Sequence, residues 1–305
     1  MEKGLVTVVM PTYKREWRYV FRALESLEKQ SYKKTEIIVI DDSPEDYLLR
    51  ESIKQNMFDY AQKNKNVRFL INEKNMGGSL ARNKGIDYSN GEYITFLDDD
   101  DEYLPDKIKN QVEYMEETQC DLSFEDMKMY NEKGNVVDYR THRDINALDN
   151  KELLKYHLKY HMTGTPTFMF RASALKKIGG FDDANMGQEF YLMFKAIKNN
   201  LDIRYIHICD VKIYKHSGEG ISQGKNKITG ENNIYRFKKK HWNQLSFRDR
   251  VFIRFRHHMV MAVAYARNRN YFMVVLSLFV GFCMSPIDFI NQGFKYVFKI
   301  KKGEI

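Results

Sequence analysis

The chain has 305 residues, 43% of them apolar, which is enough for a packed core and excludes a disordered or low-complexity protein. Its 3 cysteines, Cys120, Cys209 and Cys283, are scattered with no CxxC pair, so neither a disulfide framework nor a structural zinc site is expected. The formal net charge of +8 conceals a split: from Arg236 onward 14 Lys and Arg face 3 Asp and Glu, a net of +11, whereas the body before it carries −3. A basic tail on a mildly acidic body predicts an anionic partner, a membrane surface or a nucleic acid.

The first apolar run, Leu5 to Met10, spans 6 residues. That is too short for a signal-peptide core, so no export is expected, and with the cysteine usage a cytoplasmic location fits best. "LVTVVM" (5–10), "TEIIVI" (35–40), "VRFLI" (67–71) and "YITFL" (93–97) read as short buried strands. Amphipathic helical patterns near 16–30, 44–63 and 78–89 separate them. Strand and helix in alternation imply βαβ units and a mostly parallel sheet with both faces covered. Polar turns follow each strand: Pro11-Thr12-Tyr13, Asp41-Asp42-Ser43, Asn72 to Gly78, and Asp98 to Asp101. These are the carboxyl ends of the strands, where open α/β sheets bind ligands.

The middle is less regular. A strand at "CDLSF" (120–124), a hairpin at "YNEKGNVVDYR", a helix near 149–160, a helix at "GQEFYLMFKAIKNN" and a strand at "IRYIHI" are expected. The tail, 246–305, is helical by pattern, with Phe247, Val251, Phe255, Met259, Ala262 and Ala266 recurring at three- and four-residue steps as one apolar face. Tyr271 to Ile287 is uncharged over 17 residues. Spanning a bilayer takes about 20 apolar residues, so a helix pair lying on a membrane surface between Arg and Lys is the better reading, with packing on the body as the alternative.

The run Asp98 to Asp101 raises the chemical question, because four adjacent carboxylates repel one another. Such a cluster holds a hard cation, accepts hydrogen bonds from ligand hydroxyls, or forms a solvated turn before a helix. Its position at the sheet edge, beside three other polar turns, favours a metal bridging an anionic ligand. An EF-hand is excluded because its glycine and its position-12 glutamate are missing. No GxxxxGK[ST] loop occurs. "NMGGSLARNKG" leads into a helix whose first amides, with Arg82, suit a phosphate.

"VTVVMPTYKR", "EIIVIDDS", "NMGGSLARNKGI", "YITFLDDDDEYLPDKI", "TPTFMFRASALKKIGGFD", "GQEFYLMFKAI" and "KHSGEGIS" occur in the order seen in glycosyltransferase family 2, and the chain resembles that family over about residues 5–222. The resemblance implies the nucleotide-diphospho-sugar transferase (GT-A type) α/β fold, with helices on both faces of the sheet, and transfer that inverts the anomeric centre. It implies a catalytic domain over 1–235, its nucleotide-binding half about 1–105 and its acceptor half about 106–235, followed by the basic helical tail 236–305. Pro11, Thr12 and Tyr13 then lie where the nucleoside is held, with Asp42 on the base or ribose. Gly78, Arg82 and Asn83 line the wall near base and diphosphate. Asp98 and Asp100 match the outer positions of the DxD motif, Asp98 near the ribose and Asp100 on Mn²⁺ or Mg²⁺, while Asp101 orients neighbours. Glu189 falls at the catalytic base, His216 where a histidine often completes the metal or diphosphate site, and Thr165, Pro166 and Thr167 on the acceptor side.

Two positions depart from the pattern. Gln188-Glu189 replaces the usual Glu-Asp, so the base gains a methylene and its neighbour loses a charge. "DDSPED" lacks the glycine that often follows the aspartates, which leaves the shares of Asp41 and Asp42 open. The reading is a metal-dependent glycosyltransferase using a nucleotide-sugar, most simply a UDP-sugar. Its acceptor would be a saccharide or lipid-linked saccharide at the inner face of the cell membrane, in surface polysaccharide or glycolipid synthesis. Nucleic-acid binding by the tail is disfavoured, because its Lys and Arg are interleaved with aliphatic runs and the acidic sheet edge repels phosphate. A nucleotidyltransferase lacks its triphosphate grip, and an inactive binding module fits poorly with the retained carboxylates.

Overall fold

The computed structural model describes residues 1–142, 145–215 and 224–301, the side chains of 294–301 excepted. The first half runs β1 (Glu2–Thr12), α1 (Trp17–Glu28), β2 (Thr35–Asp41), α2 (Arg50–Lys63), β3 (Val67–Ile71), α3 (Gly78–Asp87), β4 (Gly91–Phe96), β5 (Glu102–Tyr103) and α4 (Lys107–Thr118). Next come β6 (Leu122–Glu125), β7 (Met127–Asn131), β8 (Val136–Arg140), α5 (Asn150–Tyr160), β9 (Met169–Arg171), α6 (Ala172–Lys177), α7 (Gln188–Lys198), β10 (Ile203–Ile206) and β11 (Val211–Lys215). Helices α8 (Gly224–Lys239), α9 (Phe247–Arg267), α10 (Tyr271–Met284) and α11 (Pro286–Lys301) close the described chain.

The main sheet has 7 strands in the order β10-β6-β9-β4-β1-β2-β3. Strand β9 runs antiparallel to both β4 and β6, and the other pairings are parallel. Strand alternation sorts the apolar residues onto two faces. Val6, Val8 and Met10 of β1, with Ile37 and Val39 of β2, pack beneath α1, α2 and α4. Val9, Ile38, Ile40 and Phe96 point the other way, into a core with α3, α5, α6 and α7. Both faces are covered, which is why these strands read as continuous Val/Ile runs.

The sequence did not announce a second, 4-stranded sheet in the order β5-β11-β7-β8, in which β11 pairs antiparallel with β5 and parallel with β7. Its sequences are short and polar, and the two-residue β5 carries no pattern of its own. The helix expected from residue 44 begins instead at Arg50. Pro44 to Arg50 forms turns, with Tyr47 N donating to Pro44 O and Arg50 N to Tyr47 O.

The tail is helical as expected, but of the expected stripe only Phe255 and Ala262 are fully buried. Phe247 is 79% exposed, and α9 buries Ile253, Phe255, Met261, Ala262 and Ala264. A single-stripe pattern assumes one packing partner, whereas α9 contacts α5, α8, α10 and α11 at once. No single described helix is long and apolar enough to cross a membrane; only α10 with Pro286–Gly293, bent by 118°, passes as a pair.

Candidate active site

The polar turns after β1, β2 and β4 meet at one edge of the main sheet. In the acidic turn, Asp101 N donates to Asp98 O at 3.1 Å, folding the four carboxylates back on themselves. Each then faces a different partner. Arg15, just beyond β1, bridges two of them: its Nε lies 2.9 Å from Asp99 Oδ1 and its Nη2 2.8 Å from Asp100 Oδ2. Asp101 Oδ1 accepts from Tyr214 N at 2.9 Å, which ties β11 to the turn. Arg22 of α1 donates to the Asp100 carbonyl at 2.5 Å, pairs with Glu102 at 3.2 Å and stacks 4.0 Å from the Tyr214 ring centre. Burial pushes the Asp99 carboxyl up to about 7 against the pull of Arg15, and the neighbouring Asp100 adds to the rise. Burial also raises Asp100, and raises Asp101 well above the usual carboxylate range. The charged form of the turn is therefore disfavoured unless a further cation accompanies it.

The second anchor is Arg82, on the first turns of α3. Its Nη2 donates to Asp98 Oδ1 and its Nη1 to Gln188 Oε1 at 2.7 Å. Gln188 opens α7, so this fork ties the donor-side turn to the start of that helix. Gly187 makes the junction possible. It sits at φ +77° as the N-cap, and a Cβ there would lie 2.6 Å from Ile234 Cδ1 of α8. Successive helical residues diverge by about 100°, so Gln188 faces Arg82, Phe190 is buried against His157 and His161, and Glu189 lies between. Glu189 is half-buried, and among the described residues its carboxylate has no hydrogen-bond or ion-pair partner.

The other expected residues divide. Tyr13 is exposed beside the acidic turn, and its N–H donates to Asp99 Oδ2 at 3.3 Å. Thr12 is buried and hydrogen-bonds Asp99, while Pro11 is aligned with Ile40 in the sheet. Asp42 is buried, and its oxygens accept from Asn72 Nδ2, Met76 N and Gly77 N at 2.7–2.8 Å, fixing the Gly-rich loop that starts α3. Gly78 lies under the Arg82–Gln188 contact. The Asn83 amide is taken up by the Phe181 backbone, giving and accepting at 2.8 Å, so it joins α3 to residue 181 instead of facing the cleft. Thr165, Pro166 and Thr167 form a buried turn, with Thr167 Oγ1 donating to Gly164 O at 2.7 Å. His216 lies outside the described residues. Arg15 and Arg22 were passed over in the sequence, and Gln188 was noted only as the uncharged neighbour of Glu189. Their signal was present in Arg15 two residues past Pro11-Thr12-Tyr13, but which carboxylate it would meet depends on the pairing of β1 with β4.

A sequence model of glycosyl transferase family 2 matches residues 7–179, more than half of the chain. The chain belongs to glycosyl transferase family 2. An uncharacterized glycosyltransferase of Methanocaldococcus jannaschii is 33% identical over 202 residues, 66% of this chain and 67% of that protein. The putative teichuronic acid biosynthesis glycosyltransferase TuaG of Bacillus subtilis is 31% identical over 140 residues, covering 46% of this chain and 53% of its own length. The crystal structure of S. aureus TarS 1-349 in complex with UDP-GlcNAc superposes with a TM-score of 0.57 at 17% identity, covering 88% of this chain and 89% of that one. The fold is therefore of the GT-A type, and the chain is a transferase enzyme.

The donor set of this glycosyltransferase fits a hard divalent cation. It consists of carboxylate oxygens, and Arg15 already stands as a cation between Asp99 and Asp100. The side chains of Asp98 and Asp100 remain 36% and 16% exposed at the cleft. Among the described residues no group of three or more His, Cys, Asp or Glu is gathered as a complete ligand set, so substrate oxygens or water would have to complete one.

Proposed function

We propose that this enzyme is a metal-dependent inverting glycosyltransferase that moves a sugar from a nucleoside-diphosphate donor, a UDP-sugar by preference, to a hydroxyl of a saccharide carried on a lipid at a membrane face. The observation that carries the reading is Glu189, an unpaired half-buried carboxylate one residue beyond the Gln188–Arg82–Asp98 chain. In this scheme Glu189 accepts the proton of the acceptor hydroxyl as its oxygen attacks the anomeric carbon. The bond from that carbon to the diphosphate oxygen breaks, and the departing charge falls among Arg15 and Arg82. Mn²⁺ or Mg²⁺ held by Asp98 and Asp100, with His216 as a further candidate, would add Lewis-acid stabilisation of the leaving diphosphate. Tyr13 is the exposed ring available to the base, and Asp42 acts on the nucleoside through the loop it anchors. The teichuronic acid role in the name of TuaG and the UDP-GlcNAc in the TarS complex support the substrate classes.

The tail supports a membrane-face location. Helix α10 buries its small residues, Ser277 and Gly281, and turns its large ones outward: Phe272 is 76%, Val275 66% and Phe279 63% exposed. Gly281 lets α9 approach closely, since a Cβ there would lie 2.2 Å from Met259 Cε and displace that side chain. A helix with small residues in and aromatics out suits an apolar surrounding. The bent α10–α11 pair would then rest in one leaflet, with the catalytic domain on the cytoplasmic side. Calorimetric titration with UDP, GDP, CDP and dTDP, each with and without Mn²⁺, tests the donor reading. UDP binding that requires Mn²⁺ and is lost in Asp100→Asn supports it; failure of every nucleotide to bind overturns it.

A further inference from the structure

Behind Glu189, on the side away from the acidic turn, lies a cluster that the donor chemistry does not use. Helix α8 crosses the start of α7, with Ile234 over Gly187 and, one turn on, Lys238 over Phe190. Lys238 is 7% exposed, and its Nζ lies 5.6 Å from the Phe190 ring centre. Among the described residues no carboxylate lies within ion-pairing distance of it and no acceptor within hydrogen-bond distance. The acidic group acting on it is Glu231, whose Oε1 is already 2.5 Å from Lys227 Nζ. Arg256, half-buried on α9, is a second cation. Its guanidinium sits 5.7 Å from the Tyr160 ring centre with no carboxylate partner among the described residues, and it acts electrostatically on both Lys238 and His161. His161, just past α5, closes the cluster with its ring 4.8 Å from that of Phe190. Its backbone is held at φ +57°, a conformation that a non-glycine residue adopts only when its surroundings enforce it.

A largely buried ammonium without an ion-pair partner is costly, and the nearby charge of Arg256 adds to the cost by repulsion. Burial first, and then Arg256, push the Lys238 ammonium down to about 7. Among the described residues only Glu231 acts on it as an anion, and that carboxylate is shared with Lys227. The position of the cluster supplies a reason. Phe190 and Glu189 are adjacent on α7, so the cluster flanks the base on the acceptor side. Arg256 shares its helix with the residues that back the exposed apolar face of α10. A group lodged here is thus held between that face and Glu189.

We infer that Lys238, Arg256 and His161 form an acceptor-side subsite for a phosphoryl or diphosphoryl group, which holds the anionic end of the acceptor while its sugar hydroxyl reaches Glu189. The inference rests on the acceptor half of the reading above and is independent of its donor half. The phosphoryl group could be carried by a membrane lipid or by a soluble sugar phosphate, and the arrangement of charge serves either.

The test uses the full chain in EDTA, so that the acidic turn cannot retain diphosphate through a metal, with inorganic pyrophosphate as the titrant. Wild type should bind it and take up a proton on binding at pH 8, because the anion restores the charge of Lys238. Lys238→Met should weaken binding at least tenfold and abolish the proton uptake. Arg256→Gln should weaken binding comparably and serves if Lys238→Met fails to fold. Wild type that ignores pyrophosphate, or binding as tight as wild type in both basic-site variants, overturns the subsite. Phosphatidylcholine vesicles with and without a polyprenyl diphosphate separate the sources. Preference for the loaded vesicles that disappears in Lys238→Met assigns the phosphoryl group to a lipid; equal binding to both vesicles, with Lys238-dependent pyrophosphate binding, assigns it to a soluble acceptor. Loss of Mn²⁺-dependent nucleotide binding on the same preparation would sink the donor reading alone.

Discussion

Residues 188 to 190 are consecutive and serve three environments, because a helix start fans its side chains outward. Gln188 is the informative departure. Its neutral amide accepts from Arg82 and leaves that guanidinium with one carboxylate partner, Asp98. A glutamate at 188 would share the charge between two. Gln188→Glu is therefore expected to raise the KM for the nucleotide-sugar roughly tenfold, about 1.4 kcal/mol, with little change in kcat; an unchanged KM would show that Arg82 does not face the diphosphate. Glu189→Gln keeps the shape and removes the base, so turnover should fall by about 10²–10⁴ while nucleotide binding stays normal. Near-normal turnover would remove Glu189 from the mechanism. Arg15 makes a third case, because it holds the place a metal would contest. Arg15→Ala should bind Mn²⁺ more tightly than wild type in the absence of nucleotide, as followed by electron paramagnetic resonance, and equal affinity would mean the two cations do not compete.

Among the elements, α5 illustrates how burial sets pH dependence. His157 is fully buried in it, with Nε2 3.0 Å from Phe190 O and Nδ1 accepting from Met162 N at 3.2 Å. Desolvation, opposed by the Phe190 carbonyl, drops its pKa from 6.5 to about 3, and burial drops His142 to about 4. The folded chain thus refuses protons that the unfolded chain takes up. The stability from these neutral rings is complete above pH 6.5 and is lost as pH falls from there toward 4 and 3, by up to about 1.4 kcal/mol per pH unit for each. Urea unfolding across this range should show the decline, and His157→Gln should flatten it; a parallel decline in the variant would place the acid sensitivity elsewhere. Helix α10 makes a different point. Its composition was legible as apolar, but which side faces out was not. Phe272→Ser with Phe279→Ser should reduce co-sedimentation with anionic vesicles at least tenfold and leave nucleotide binding intact. Undiminished vesicle binding would mean that the exposed face meets protein instead.

Over the whole molecule, charge and apolar surface are segregated. The body carries the acidic turn, and the basic tail lies alongside the apolar face of α10. Attachment to an anionic bilayer through such a tail should weaken as ionic strength rises, because exposed charges are screened over about 8 Å at physiological salt. The family and the mostly parallel sheet covered on both faces could be read from order and pattern alone, because strands buried on both faces are uniformly apolar. The second sheet escaped that reading since its strands are short and half-polar. The partners of Arg15 and Arg82 escaped it because they lie from 16 to 106 residues away along the chain. Asn83 and Asp42 stood in the right motifs, yet tertiary packing directed both side chains to backbone partners. Local pattern determined which elements form and where the carboxylates lie in the chain; only the crossing of α7, α8 and α9 decided which charges are left unpaired, because pairing depends on distances that no local pattern encodes.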